Sequence, residues 1–276
     1  MNIQKWIQKT SEKLSLCDNP KYEAEILLIY TSQHTYSDIL TFNHIKMSAM
    51  QLKNLKNLVY RRSLGEPMAY LKGEKEFWSL SLRVSYDTLI PRPETEILVE
   101  QVLLKAQDKF SSILDLGTGS GNIALALASA CKHFRITGID NSKKALKIAK
   151  YNAVNLKLYN ICFFYSDWFS CVKKKFHIIV SNPPYISIDE SFLLKKDIFF
   201  EPFNALFSKN NGLADIEHII KNSFHYLLYK GWLLVEHGWK QKLIIQHFFK
   251  KYNFHNITSH KDYGGNDRVT IGQKIK

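Results

Sequence analysis

Apolar residues recur at two different spacings along this chain, and the change from one to the other divides it. Over roughly the first 70 residues the spacing is helical, with Asn19-Pro20 as a helix-start signal and a further helix over Met50–Leu64. We expect these elements to form a small helical bundle. The apolar positions that support it are Ile3, Trp6, Ile7, Leu14, Ala24, Ile26, Leu27, Leu28, Tyr30, Leu52, Leu55, Leu58 and Val59.

Glycine and proline punctuate the following stretch, at Gly65-Glu66-Pro67 and at Gly73. Polar and apolar residues then alternate over Glu76–Val84, which predicts the strands of a hairpin. Tyr86–Thr95 contains the stiff sequence Pro91-Arg92-Pro93. We therefore expect three regions, namely a helical domain over 1–73, a hairpin and loop linker over 74–96, and a larger domain over 97–276.

From Ile97 onward, short apolar runs alternate with longer helical patterns. This alternation predicts an α/β domain with a mostly parallel sheet and helices on both faces. The predicted strands are Ser112–Leu116, Phe134–Ile139, Ile161–Tyr165, Phe176–Ser181, Trp232–Glu236 and Val269–Gly272. The main predicted helices are Asn122–Cys131, Ser142–Asn155, Leu213–Leu228 and Gln241–Tyr252.

Composition narrows the class of protein. The chain has 276 residues, 45% of them hydrophobic and 23% charged, so a sizeable core is possible. The N-terminus has no signal-peptide core and no apolar run is long enough to span a bilayer, so we expect a cytoplasmic protein without a membrane partner. The four cysteines lack metal-site spacing and read as reduced thiols, which predicts no metal site: Cys17, Cys131, Cys162 and Cys171.

The formal net charge of +13 suggests an anionic partner, such as nucleic acid or an acidic protein surface. A compositional bias explains it equally well, because Lys, Ile, Asn, Phe and Tyr are all abundant. The charge alone therefore leaves the class of partner open.

A glycine-rich loop, Asp115-Leu116-Gly117-Thr118-Gly119-Ser120-Gly121-Asn122, joins the first predicted strand of the larger domain to a helix. Glycines permit a tight turn and a close approach to a ligand, and a helix N-terminus favours negative charge. The G-x-G-x-G spacing differs from the dinucleotide fingerprint and is more typical of a loop that binds S-adenosylmethionine. The candidate cofactor-binding residues here are Gly117, Thr118, Gly119, Ser120 and Gly121.

Residues that follow two further strands add to the predicted cofactor site. Asp140 lies 19 residues after Gly121, where a carboxylate can accept both ribose hydroxyls, although alone it would more often be a loop residue or a helix cap. Asp167 and Trp168 follow the third strand, where a carboxylate can accept the adenine amino group and an aromatic ring can pack on its face. That Trp168 is instead a core or lid residue is equally supported.

Asn182-Pro183-Pro184-Tyr185 follows an apolar strand and forms a rigid ledge. Prolines lack an N–H, so the ledge offers acceptors in excess and suits a planar NH₂ group that is to be alkylated. We hypothesise that Asn182 Oδ1 and the Pro183 carbonyl accept its two N–H bonds while Tyr185 packs on its face. Asn182, Pro183 and Tyr185 are thus the candidate catalytic residues, and Pro184 completes the substrate site.

With these residues in place, the chain resembles the PrmC/HemK protein-(glutamine-N5) methyltransferases, over nearly its whole length. The most distinctive match is the loop Leu89–Glu96, which contains Pro91-Arg92-Pro93. The ledge by itself is shared with methyltransferases that act on nucleic acids. The other matching segments are Arg62–Tyr70, Glu76–Trp78, the glycine loop, Asp140, Ser166–Trp168, Phe200–Pro202, Glu236–Trp239 and Asp267–Thr270.

The resemblance implies a class I S-adenosylmethionine-dependent methyltransferase fold, Rossmann-like, with a mostly parallel seven-stranded sheet, a small N-terminal helical bundle and a hairpin linker. It implies methyl transfer from S-adenosylmethionine to the glutamine of the Gly-Gly-Gln motif in class-1 peptide chain release factors. It also implies that Asn182 contacts the cofactor as well as the glutamine. The helical domain would dock the release factor, and Arg92 and Glu94 would close over the substrate, although a structural salt bridge is equally permitted there. We expect a monomer with no stable nucleic-acid partner.

Two other functions compete with this one. An N6-adenine or N2-guanine methyltransferase would also hold an NH₂ group, and the net charge supports it, but no separate base-reading domain is evident. A non-catalytic protein that docks release factors or ribosomes is the second. The intact glycine loop, Asp140 and Asn182 argue against a loss of catalysis.

Overall fold

A computed structural model describes residues 1–106, 111–193 and 196–275 of the chain. These residues divide into two units. The first contains Met1–Gly73 and the described residues of Lys195–Phe200. The second contains the described residues of Glu74–Leu194 and Glu201–Lys276.

The first unit is helical, as its apolar spacing predicts. The start signal Asn19-Pro20 is confirmed, because the Asn19 side chain caps the second helix. Two of its helices are only six and five residues long, too short for a periodic pattern to reveal. Its helices are α1 (Ile3–Lys13), α2 (Pro20–Ser32), α3 (Tyr36–Thr41), α4 (Ala49–Ser63) and α5 (Met68–Lys72), and Lys196–Phe200 forms a 3₁₀ helix.

Burial of one face of each longer helix holds this unit together. Ile3, Leu27, Leu28 and Leu55 are each 1% exposed or less and belong to one apolar cluster. Polar caps fix the helix starts, and α4 begins with a capping box between Ser48 and Gln51. The bundle predicted from the sequence is therefore confirmed as a packed helical unit.

The second unit opens with a hairpin of β1 (Glu74–Phe77) and β2 (Leu80–Arg83), as the alternation over Glu76–Val84 predicts. Its turn residues, Trp78 and Ser79, both have positive φ. A two-residue turn with positive φ at both positions matches the twist of antiparallel strands. Such turns usually contain Asn or Gly, so Trp78 and Ser79 do not predict it.

A seven-stranded sheet dominates the second unit and confirms the α/β prediction. Its order is β5-β4-β3-β6-β7-β9-β8, with parallel pairing from β5 to β7 and antiparallel pairing of β9 with both β7 and β8. The strands are β3 (Ser112–Leu116), β4 (Arg135–Asp140), β5 (Ile161–Tyr165), β6 (Phe176–Ser181), β7 (Leu227–Glu236), β8 (His255–Lys261) and β9 (Asp267–Gln273).

Two differences from the predicted elements have physical causes. The strand β8 is absent from the residue-based prediction because it is an edge strand with exposed and half-buried residues and no fully buried one. Leu227 and Leu228, predicted as a helix end, instead begin β7, since an apolar pair fits either element. The helices are α6 (Glu96–Ala106), α7 (Asn122–Ala130), α8 (Lys143–Asn155), α9 (Phe203–Leu206), α10 (Lys209–Gly212), α11 (Ala214–Tyr226) and α12 (Lys242–Lys251), with 3₁₀ helices at Pro93–Thr95 and Ile188–Leu193.

Strand order places the functional candidates. The chain runs outward through β3, β4 and β5 and then returns to β6 on the other side of β3. In open α/β sheets, such a reversal leaves a crevice beyond the carboxyl ends of the two central strands. Leu116 of β3 pairs with Ser181 of β6, so the glycine loop and the Asn182 ledge leave the sheet side by side. Within the described residues, no helix has the length and apolar character that a bilayer crossing requires.

Candidate active site

The backbone amides of the glycine loop are bonded within the protein. Gly117, Gly119 and Gly121 have φ of 69°, 57° and 88°, a region that glycine enters without strain. The Thr118 amide donates to Ile139 O at 2.8 Å, and the Gly121 amide donates to Thr118 O at 2.8 Å. The loop therefore keeps a fixed shape and leaves little side-chain bulk toward the space above it.

A buried carboxyl lies behind this loop. Asp115 is fully buried, and its Oδ2 accepts the hydroxyl of Thr118 at 2.6 Å. Burial raises the pKa of Asp115 to about 7, against the opposing effect of its hydrogen bonds. Its hydrogen bond joins the end of β3 to Thr118 of the loop.

Asp140 is fixed between the glycine loop and the next helix. Its Oδ2 accepts the Gly119 amide at 2.9 Å, and its Oδ1 accepts the Ser142 amide at 2.8 Å. Ser142, rather than Asp140, caps α8 by accepting the Ala145 amide. A carboxylate has about four acceptor positions, so each oxygen retains capacity for a ligand hydroxyl. Burial raises the pKa of Asp140.

The residues after β5 take different positions. Phe169 is a core residue that stacks on Tyr226 with ring centroids 4.7 Å apart. Trp168 is half-buried, with φ of 44°, and an added Cβ at Gly117 would lie 3.7 Å from its ring. Asp167 is exposed. Trp168 and Asp167 thus border the space above the glycine loop, whereas Phe169 belongs to the core.

The ledge after β6 places Asn182 beside the Pro91-Arg92-Pro93 loop. Asn182 Nδ2 donates to Thr95 Oγ1 at 3.1 Å. Within the described residues, no hydrogen bond reaches the carbonyl of Pro183. The NH₂ end of the Asn182 carboxamide is therefore held by Thr95, and the backbone carbonyl of Pro183 is available to a ligand.

Tyr185 points its hydroxyl at a second buried carboxyl. The hydroxyl donates to Glu236 Oε1 at 3.3 Å, and the ring packs against the apolar cluster on one face of the sheet. Glu236 is 1% exposed, and burial raises its pKa to about 7. Burial also raises the pKa of Tyr185. The Tyr185 side chain is not among the described residues that line the cavity.

Arg92 forms an ion pair with Glu201, not with Glu94. Glu201 is buried, and its second oxygen accepts the Ile90 amide at 2.9 Å. Glu201 therefore fixes both the backbone and the arginine of the loop. Arg92 lines the cavity, while Glu94 is exposed and lies outside the lining.

One cavity of about 500 Å³ lies between the glycine loop, Asp140 and the start of the ledge, all of them in the second unit. Its volume falls within the usual range for small-molecule sites. The sequence-predicted residues that line it are Gly117, Thr118, Gly119, Ser120, Asp140, Asp167, Trp168, Asn182, Pro183, Pro184 and Arg92. No cluster of side chains suited to a metal ion occurs in the part of the chain that the structure describes.

Several residues that shape the site are not evident from the sequence. Asn152 of α8 is buried, and its Nδ2 donates to Ser120 O at 2.9 Å and to Arg83 O at 3.1 Å. It thereby joins the glycine loop to the hairpin. A polar amide among the apolar positions of a helix was the available signal. Thr95, Glu201 and Glu236 lie in segments that resemble the family, but the residues themselves do not reveal their roles, because their partners are distant in sequence.

Two known protein families match separate parts of the chain. Residues 5–73 match the family described as PrmC N-terminal domain. Residues 93–209 match the family described as Methyltransferase small domain. The glycine loop, Asp140 and the ledge all fall within the second match.

Curated relatives extend along the whole chain. A release factor glutamine methyltransferase of Buchnera aphidicola from Schizaphis graminum is 63% identical over 274 residues, 99% of this chain and 100% of the relative. The protein of the same name from Escherichia coli K12 is 43% identical over 274 residues, 99% of each chain. Among solved structures, a methyltransferase from Pyrococcus furiosus aligns with a TM-score of 0.55 at 16% identity, covering 83% of this chain and all of that one, which shows a shared fold.

Proposed function

This chain belongs to the release factor glutamine methyltransferase family, and we propose that the cavity of its second unit is where the methyl group is transferred. The observation that carries the proposal is the placement of Asn182 and Pro183 in the same cavity as the glycine loop and Asp140. The acceptor is the side-chain amide nitrogen of a release-factor glutamine, which we assign to the Gly-Gly-Gln motif of class-1 factors.

S-adenosylmethionine is the proposed methyl donor, and the cavity has features that fit it. Asp140 retains acceptor capacity for the two ribose hydroxyls, and Trp168 offers a ring beside the loop for adenine, with Asp167 nearby for its amino group. Gly119 leaves open space where any side chain would intrude. When bound, this group supplies a methyl on a positively charged sulfur.

The amide nitrogen of glutamine would be held on the ledge. We assign one N–H to Asn182 Oδ1 and the other to the carbonyl of Pro183, with Pro184 keeping the ledge rigid. These acceptors orient the nitrogen lone pair and stabilise the positive charge that develops on nitrogen. The packing of Tyr185 on the amide plane stays a prediction, as does closure by Arg92 and Glu94.

Alignment must contribute heavily to the rate. An amide lone pair is delocalised, with a resonance that gives a rotation barrier of ~18–20 kcal/mol. One preorganised contact contributes about 3–4 kcal/mol to transition-state stabilisation, which cannot offset that resonance. Well-oriented reactants gain about 7–11 kcal/mol more. No protein nucleophile is required, and the ledge and glycine loop serve to bring acceptor and donor together.

The first unit is the proposed docking domain for the release factor. Its match to the PrmC N-terminal domain supports this role. We further propose that the chain acts as a monomer in the cytoplasm, where its substrate works.

Incubation of the full chain with radiolabelled S-adenosylmethionine tests the proposal. One arm contains a class-1 release factor, a second contains DNA and RNA, and a third contains both. We expect label on the release factor alone. Label on nucleic acid, or on neither substrate, would overturn the assignment.

A further inference from the structure

Two side chains behind Asn182 meet from distant parts of the chain. Ser181 of β6 pairs with Val235 of β7, so Asn182 and Glu236, the next residues, emerge at the same edge of the sheet. Thr95, at the end of the 3₁₀ helix Pro93–Thr95, is fully buried and accepts Asn182 Nδ2 at 3.1 Å. Thr95 thus lies beside the side-chain amide of Asn182, the first residue of the ledge.

Glu236 offers a buried acceptor near Thr95. Its Oε1 accepts the hydroxyl of Tyr185, whereas its Oε2 has no partner at full hydrogen-bonding geometry among the described residues. The side chain of Thr95 lies close to this carboxyl and lowers its pKa, which favours the charged form. A buried carboxylate oxygen with spare capacity therefore lies within reach of the one proton that Thr95 can donate.

The number of protons decides the orientation of Asn182. A threonine hydroxyl has a single proton, so when it donates to Glu236 it can only accept from Asn182. Only the NH₂ end of a carboxamide can donate to it. The two ends of an asparagine amide are almost identical in size, so the hydrogen-bond network, and not shape, distinguishes them.

We propose that Thr95 and Glu236 are positioning residues that hold Asn182 with Nδ2 toward Thr95 and Oδ1 toward the substrate amide. The inference rests on the proposed function for its catalytic meaning. Reversal of the carboxamide would present an NH₂ group to the NH₂ group of glutamine, and the two donors cannot bond. The relay therefore makes the ledge an acceptor of hydrogen bonds.

The charge on Glu236 sets the direction of the relay. Once protonated, the carboxyl can donate to Thr95, which can then donate to Asn182 Oδ1 and favour the reversed amide. Burial raises the pKa of Glu236 to about 7, and Glu94 raises it further, while Thr95, Arg268 and Tyr185 oppose these effects. The neighbouring His237 is turned away, with its ring nitrogens on Gly238 O and Thr270 Oγ1.

Three variants test the relay by steady-state kinetics. Thr95→Val removes the hydroxyl at nearly constant volume and should lower kcat on the order of 100-fold, the effect of a misplaced reacting group. Thr95→Ser retains the hydroxyl and should restore most of that loss. Thr137→Val, on β4 and outside the cavity, is the matched control and should retain the wild-type kcat. Equal affinity for S-adenosylhomocysteine in all of them shows that each variant is folded.

The pH profile separates positioning from structural support. Wild-type kcat should fall toward acid with an inflection near pH 7, and Glu236→Gln should lose that inflection. A Thr95→Val variant with wild-type kcat, or a Glu236→Gln variant that retains the inflection, would overturn the proposal.

A measurement without turnover distinguishes failure of the relay from failure of the proposed function. The side-chain NH₂ resonances of Asn182 in ¹⁵N-labelled protein should titrate with a midpoint near pH 7 in the wild type and not in Glu236→Gln. If they titrate but no release factor is methylated, the proposed function is wrong and the relay stands. If release factor is methylated but the resonances do not titrate, the relay is wrong.

Discussion

The two halves of the cavity are built in different ways. The half that contains the glycine loop presents a backbone whose amides at Thr118, Gly119 and Gly121 are all bonded inside the protein. The half that contains the ledge is held by side chains, through Asn182 and Thr95. The first half therefore offers a fixed shape, whereas the second offers hydrogen-bond acceptors whose direction depends on a network.

Both halves have a buried carboxyl behind them. Asp115 supports the glycine loop and Glu236 supports the ledge, and burial raises the pKa of each to about 7. Asp115 hydrogen-bonds Thr118, which is three residues away in sequence, whereas Glu236 hydrogen-bonds Tyr185, which is 51 residues away. A change in the glycine-loop half should thus alter mainly cofactor affinity, and a change in the ledge half mainly the chemical step.

Asn182→Ala should break the ledge half with the largest effect on rate. Loss of one preorganised contact predicts a fall in kcat of about 10²–10³-fold. The affinity for S-adenosylhomocysteine should change little, because the glycine loop and Asp140, which provide most of the proposed cofactor contacts, are intact. Quenched single-turnover assays measure the rate of methyl transfer, and calorimetry measures the affinity for S-adenosylhomocysteine. Asn222→Ala, at an asparagine on the exterior of α11, is the control. Methyl transfer by Asn182→Ala near the wild-type rate would remove the ledge from the mechanism.

Glu236→Gln should alter the dependence of stability on pH. The folded pKa of about 7 lies above the ordinary value of 4.5, so the stability contributed by this carboxyl is full below about pH 4.5 and is lost as the pH rises through 7. Between pH 5 and pH 8 the free energy of unfolding of the wild type should fall by about 2–3 kcal/mol more than that of the variant. Urea titrations at the two pH values measure the difference.

Glu217→Gln provides the control for this pH dependence. A hydrogen bond from Lys251 lowers the pKa of Glu217, so its contribution to stability is lost only as the pH falls toward acid. This variant should parallel the wild type between pH 5 and pH 8. Parallel behaviour of Glu236→Gln as well would contradict a buried carboxyl that titrates near neutrality.

Two alanine substitutions in the glycine loop sharpen the contrast between shape and stability. An added Cβ at Gly121 would meet Leu125 Cδ1 at 2.8 Å, whereas one at Gly119 would meet nothing within 4 Å. Both positions have positive φ, so Gly119→Ala should cost about 1–2 kcal/mol in the free energy of unfolding and Gly121→Ala more. Thermal unfolding measures this order, and the reverse order would contradict the packing.

Trp168→Ala should have the smallest effect. If the ring packs on adenine, its loss should weaken S-adenosylhomocysteine binding by about 0.5–1.5 kcal/mol, or roughly 2- to 13-fold. The value of kcat at saturating cofactor should remain near that of the wild type. Calorimetric titration measures the affinity, and unchanged affinity would show that Trp168 is only a core residue.

Local features of this site could be predicted from the sequence. Ser112–Leu116, the glycine loop and the following helix form one contiguous stretch, and their conformations depend on residues a few positions apart. Asn182 was predictable for the same reason, because it directly follows the buried strand β6.

The supporting network could not be predicted in this way. Thr95, Glu201 and Glu236 act through partners that are distant in sequence, and each is an ordinary residue in its local context. The edge strand His255–Lys261 was missed because pairing with β9, not burial of an apolar face, forms it. Tertiary pairing overrode the local pattern at these positions.

Mass-spectrometric fragmentation of a release factor after incubation with the full chain and S-adenosylmethionine tests the central claim most directly. A release factor with Gln→Asn in its Gly-Gly-Gln motif is the matched substrate control, because it presents the same amide one methylene shorter. We predict one added methyl group on the side-chain nitrogen of that glutamine and none on the asparagine. A methyl group on another residue, or equal modification of the asparagine, would contradict the assignment of the ledge to the glutamine amide.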